Sequence, residues 1–200
     1  MHFDNLIIIK RFLFAHIGKK KDAKNILGLL LESRELPSEN WKQLGEQTWR
    51  TGVQAKSNEI SARARENKSI TAWRSFRRGK QEGFFIQITP FASYEDAIDA
   101  TQDFANLIMP NFRVKTKVVS RKLVSLTSEV DLDHPRLIEF TTLTADGNNG
   151  LSKSISAVVG NFGFFILFES LTINTWDQVL EIAVLQSNKI KTLTMTKDDV

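Results

Sequence analysis

Cysteine is absent from the 200 residues, which removes structural disulfides, thiolate zinc sites, iron–sulfur clusters and a cysteine nucleophile together. Histidine is nearly as scarce, with only His2, His16 and His134, so metal or acid–base chemistry would rest mainly on carboxylates. Long apolar runs are missing as well. A bilayer-spanning helix needs about 20 mostly apolar residues, and Leu6 to Ile17 is broken by Lys10 and Arg11, so no transmembrane helix is expected. The basic cluster Lys19-Lys20-Lys21 follows that run instead of preceding it, the wrong order for a signal peptide. Residues 5–21 then read as a segment docked on the domain. The alternative is an amphipathic element in peripheral contact with an anionic membrane.

Catalytic signatures are also lacking. No serine sits in a Gly-x-Ser-x-Gly elbow. Gly160-Asn161-Phe162-Gly163 has neither the Lys-Ser/Thr ending nor the following helix of a phosphate cradle. Asp131-Leu132-Asp133-His134-Pro135 is the densest titratable cluster, but Pro135, Arg136 and Thr142 occupy the fifth, sixth and twelfth positions, where a calcium loop needs oxygen donors, a glycine and a glutamate. It reads as a loop. No catalytic residue, metal site or cofactor site is therefore expected.

What is present is an ordinary globular composition, 42% hydrophobic and 25% charged, long enough for one good core. The expected organisation is an N-terminal extension over 1–25, a single α+β domain over 26–193 and a frayed tail over 194–200. The net charge of +4 conceals a division. Residues 1–122 carry 22 Lys/Arg against 13 Asp/Glu, a net of +9, while residues 123–200 carry 5 against 10, a net of −5. Such asymmetry is the mark either of charges that merely keep a protein soluble, the more frequent case, or of a face that steers acidic partners.

The clearest structural signal is Ser154 to Phe168, two apolar, β-favouring runs hinged on Gly160-Asn161. Both hinge residues tolerate positive φ, so the segment reads as an antiparallel hairpin. Its second run is apolar at odd and even positions alike, as a strand covered on both faces requires. A helix is expected over 22–34, a loop over 38–47 with Trp41 anchored in the core, a strand over 48–53 and a polar helix over 57–66. Residues 71–77 alternate as a half-buried strand does, and 83–89 give another strand. Ser93 caps a helix over 94–109, with Glu95 and Asp96 in its first turn. Strands follow over 112–119, 136–143, 151–159 and 162–170. Thr175-Trp176-Asp177-Gln178 matches a capping box and opens the last helix.

Two stretches combine cationic and aromatic residues. Arg63, Arg65, Lys68, Arg74, Arg77, Arg78 and Lys80 surround Trp73 and Phe76, and Arg113, Lys115, Lys117, Arg121 and Lys122 form a second strip. Phosphate-seeking charges beside aromatic planes suit a polyanion or nucleic acid, provided that the aromatics are not buried. The phenylalanines, 14 in all, fill a core or line a small-ligand cleft.

The Leu30-Leu31, Glu35-Leu36-Pro37 and Trp41 stretch, Thr48-Trp49-Arg50-Thr51-Gly52, and a closing hairpin followed by Trp176-Asp177-Gln178-Val179 resemble the pattern of small actinobacterial lipoprotein and sensor domains. Those domains have a PsbP-like α/β/α sandwich, and the similarity covers residues 27–192. The resemblance implies an antiparallel sheet flanked by helices and a noncatalytic module that binds another protein. The chain departs from the lipoprotein members in having no cysteine to acylate, and a cytoplasmic location follows, or one on the inner face of the membrane. Three functional readings stand side by side: a protein-interaction or scaffold domain, a polyanion binder, and a peripheral membrane protein.

Overall fold

The computed structural model describes residues 25–50, 70–79, 82–107, 117–126, 129–143, 149–169 and 175–195. Seven strands and two long helices occupy them: β1 (Lys42–Arg50), β2 (Ile70–Arg78), β3 (Glu82–Pro90), α1 (Tyr94–Leu107), β4 (Lys117–Val124), β5 (Asp133–Leu143), β6 (Asn149–Val159), β7 (Phe162–Glu169) and α2 (Asp177–Met195). A 3-10 turn, Ser33–Glu35, precedes β1. The strands form one sheet in the order β1-β2-β3-β7-β6-β5-β4, every pair antiparallel.

The expected hairpin is there, with Gly160 at φ 53° in its turn and Val159 opposite Phe162. Because side chains alternate across a strand, β6 shows which helix lies on which side. Ile155, Ala157 and Val159 pack with Val179, Ile182, Ala183 and Ile190 of α2, while Val158 packs with Ala97 and Ala100 of α1. The helices therefore cover opposite faces of an α+β sandwich, and β7 between them is buried on both sides, as its unbroken apolar run demands.

On the α2 face, Phe76, Phe84 and Phe168 of three neighbouring strands stack at 4.9 and 4.8 Å, and Trp41 stands edge-on to Phe84 at 4.8 Å. Each such pair adds about 0.5–1.5 kcal/mol beyond the area it buries. The α1 face carries buried polar side chains beside its apolar ones. Thr71 and Thr89 share a hydrogen bond of 3.0 Å, and Ser156 donates to the Thr101 carbonyl at 3.1 Å. Close approach of α1 rests on Gly163, where a Cβ would lie 2.8 Å from Thr101 Cγ2 and 3.0 Å from Phe91 Cε2.

Several expectations need correction. The helix over 22–34 is described only as helical residues 25–28, then a turn and the 3-10 segment. Leu30 and Leu31 leave the helix because their backbone groups are held by the core instead. Residues 42–47 are strand, not loop, although Trp41 is buried as expected. β2 is buried on both faces from Ile70 to Phe76, because β1 and β3 flank it and both sheet faces are covered. Of the strand expected at 112–119, residues 112–116 lie outside the described residues, and 117–119 belong to a strand that runs on to Val124. Asp133 and His134 belong to β5, where a bulge interrupts the register between Asp133 and Arg136 and sets His134 at φ 48°. Residues 1–24, the helix over 57–66 and the tail beyond 195 lie outside the described residues.

Candidate interaction surface

Of the expected polyanion contacts, Arg63, Arg65, Lys68, Lys80, Arg113 and Lys115 lie outside the described residues, and Lys117 is placed only as the first residue of β4. The structure fixes Arg74, Arg77 and Arg78. Arg74 is 6% exposed on the α2 face. Its Nη1 donates to the carbonyls of Leu30 (3.0 Å) and Leu31 (2.8 Å), and its Nε and Nη2 reach Glu46 Oε2 at 3.0 and 2.7 Å. Arg78 pairs with Glu82, donates to Ser38 Oγ at 2.6 Å, and lies 4.7 Å above the Trp41 ring. Arg77 points to the other face, its Nε donating to the Gly79 carbonyl at 2.9 Å. Trp73 is 9% and Phe76 1% exposed, on opposite faces, so neither offers a plane on which a base could stack.

Arg74 is one of three groups that pin the N-terminal segment. Gln186 of α2 accepts from Leu31 N–H at 3.1 Å and donates to the Leu29 carbonyl at 2.7 Å. Lys189 Nζ donates to the Leu30 carbonyl at 2.9 Å and to Glu35 at 2.5 Å. Burial alone would raise the Glu35 pKa. The Lys189 ammonium and the Glu32 N–H outweigh it and hold the carboxyl below the usual range. These polar groups satisfy backbone that enters no helix or sheet ladder, and the fold consumes them.

The Asp131–Pro135 cluster sits at an exposed end of the sheet. Tyr94, at the start of α1, donates its hydroxyl to Asp133 Oδ2 at 2.6 Å, a bond that raises the phenol pKa. His134 is edge-on to the Tyr94 ring at 5.9 Å, and its Nε2 lies 3.7 Å from Asp133. Asp131 takes Lys191 at 3.0 Å. Among the described residues no three carboxylate or imidazole groups converge as a metal site. The groups hold α1, β5 and α2 in place.

Lys153 is also a buried cation, on the α2 face of β6. Burial lowers its pKa, and Glu139 across the strand pair works against that shift. Its Nζ lies 5.9 Å from the Trp176 ring centroid.

The outer strip is different. β4 ends the sheet, and residues 119–123 of it are exposed, Leu123 at 63% and Val119 at 56%, with Arg121 and Lys122 between them, while Val124 packs on the core. Arg121 stands opposite Phe140, Leu123 opposite Ile138, and Lys122 opposite Glu139. Partial burial, and then the neighbouring Arg136 charge, lower the Arg121 pKa. The sequence shows Arg121 and Lys122 as cations, but Leu123, Val119 and Arg136 join them only once β4 is known to be an edge strand. The one available sign is a pair of cations in the middle of a short β-favouring run, a frequent mark of edges.

No protein-family model and no curated protein matches the chain. Among solved structures it is similar to the extracellular domain of PknH from Mycobacterium tuberculosis, at 13% identity and a TM-score of 0.56, over 85% of this chain and 96% of that one. It is also similar to the Rv0999 ortholog from Mycobacterium smegmatis, at 11% identity and a TM-score of 0.48, over 85% and 98%. The PknH likeness establishes a shared α+β fold and agrees, at that level, with the resemblance to actinobacterial sensor-type domains. It also overturns the cytoplasmic expectation and its inner-face alternative, because the same architecture serves as an extracellular domain.

Proposed function

We propose that the chain is a noncatalytic interaction domain that works outside the cytoplasm and meets its protein partner along β4 and the adjoining part of β5. The observation that carries this reading is a contrast in how cations are used. Arg74, Arg78 and Lys189 are tied into the fold, while Arg121 and Lys122 stand exposed beside the exposed apolar Leu123 and Val119. Charge gathered at a rim next to apolar area gives orientation and contact together. The shared fold with a mycobacterial extracellular domain supports the compartment, and a PsbP-like form of the sandwich belongs to the same reading. The test is a photo-crosslinking residue placed at Leu123 or, as a control on the opposite edge, at Leu44 of the full-length protein on intact cells. A discrete adduct from position 123 and none from 44 is the expected result. Adducts from 44 alone, or equal yields from both, contradict the reading.

A second reading, polyanion capture, is favoured by the exposure of the adjacent cations Arg121 and Lys122 on the edge strand. Retention on immobilised heparin that falls steeply with salt, and falls further when Arg121 and Lys122 become Glu, is its signature. Retention insensitive to those changes removes it.

A further inference from the structure

We propose that β4 accepts an extended acidic segment of another protein as an additional strand of the sheet. Among the described residues β4 is paired on one side only, with β5. Backbone N–H and C=O groups of a strand point alternately to its two sides, so the outer row of β4 is a template for another chain. A bulge lies between Val118 and Ser120, after which Ser120–Val124 keep a regular register. An incoming strand therefore finds its regular partner in that stretch.

Charge selects what that strand carries. Arg121 and Lys122 are adjacent, so they project to opposite faces, and a partner satisfies both only with acidic residues at two successive positions. Leu123 follows, 63% exposed over Ile138, and asks for an apolar residue next to the acidic pair. A second copy of this chain is a poor occupant. β4 laid on β4 brings Arg121 and Lys122 of one molecule against those of the other, and directly opposed like charges destabilise a strand pair. The opposite edge differs: β1 carries both signs, in Lys42 and Glu46, and Glu46 is already engaged by Arg74. Cations alone would be an ordinary guard against edge aggregation. Two exposed aliphatic side chains beside them do not serve that purpose.

This inference rests on the proposed reading only for the side of the sheet, and the two fail separately. A crosslink at Leu123 without strand addition leaves the interaction surface intact. The probe is the capped hexapeptide Thr-Val-Glu-Glu-Val-Thr, whose pattern reads alike in both directions, titrated into the isotopically labelled chain. Saturable binding with slowed amide exchange confined to residues 120–124 is expected. An Arg121→Glu, Lys122→Glu variant, checked for an unchanged circular dichroism spectrum, should bind at least about fivefold more weakly. It should prefer the same peptide with Lys in place of Glu. A peptide N-methylated at alternate residues cannot complete the ladder and should not bind. Undiminished affinity of the N-methylated peptide would show side-chain adhesion and overturn the inference. Absence of binding at millimolar peptide, or protection of β4 by self-association without peptide, would overturn it equally.

Discussion

Replacing Arg74 with Ala tests whether that cation serves structure or binding. The substitution removes two hydrogen bonds to the Leu30 and Leu31 carbonyls, at 3.0 and 2.8 Å, and the contacts to Glu46 at 3.0 and 2.7 Å. Hydrogen bonds to a charged group contribute about 1.5–3 kcal/mol each. The Glu46 carboxylate is 41% exposed, so its share is discounted to about 0–1 kcal/mol. Leu30 keeps its bond from Lys189, which limits the loss there. The total comes to about 3–5 kcal/mol, a fall in Tm of roughly 10 °C for a chain of this size. Thermal and urea unfolding followed by circular dichroism and tryptophan fluorescence read it directly. Arg74→Lys, which keeps the charge but loses the planar fork, should fall between wild type and Ala. Arg77→Ala, three residues along the same strand, should cost less than about 1 kcal/mol, because its Nε bond to Gly79 is exposed. If Arg74→Ala proves as stable as Arg77→Ala, the clamp described for residues 29–31 is wrong.

Gly163→Ala should destabilise by about 1–3 kcal/mol through overpacking against Thr101 and Phe91, whereas Gly28→Ala, which meets nothing within 4 Å, should not weaken the fold. Urea midpoints compare them. Glu35 has a folded pKa below its unfolded value, so its contribution is complete above the unfolded value and is lost as pH falls through the folded one. Tm should therefore decline on acidification below about pH 4.5, less steeply in Glu35→Gln; identical pH profiles would contradict the pairing with Lys189. Tyr94 is the single tyrosine, so the ultraviolet phenolate signal reports it alone. It should titrate above an ordinary phenol and return towards one in Asp133→Asn, and the stabilisation from that bond should be lost as pH rises through the tyrosine range. An unshifted titration in the parent would remove the Tyr94–Asp133 bond.

The sequence exposed what depends on near neighbours. Gly160-Asn161 between two β-favouring runs announced the hairpin, and Ser93 announced the start of α1, its Oγ accepting from Asp96 N–H at 3.1 Å. What it concealed depends on distant partners. The Leu-rich run 26–31 has the composition of a helix, yet the carbonyls of Leu29, Leu30 and Leu31 are taken by Gln186, Lys189 and Arg74, up to 159 positions away, and the helical residues stop at Gly28. β1 looked like loop because Lys42, Gln43 and Glu46 are polar, and only pairing with β2 makes that segment a strand. The alternation in β2 suggested a wet face carrying Arg74, but a buried arginine surrounded by acceptors fits the same letters. Of the two cationic stretches, the structure shows Arg74 and Arg78 drawn inward and Arg121 and Lys122 left outside. Composition cannot separate them, because the difference lies in sheet order.

β4 meets a partner, and takes an added strand, only as an open edge. Residue-resolved hydrogen exchange of the folded chain measures this without any partner. Alternate amides within 120–124, those turned away from β5, should exchange orders of magnitude faster than the amides of β7 at the sheet centre. Uniform protection of 120–124 at the level of β7 would mean that the edge is covered, and would contradict both the interaction surface and the added strand.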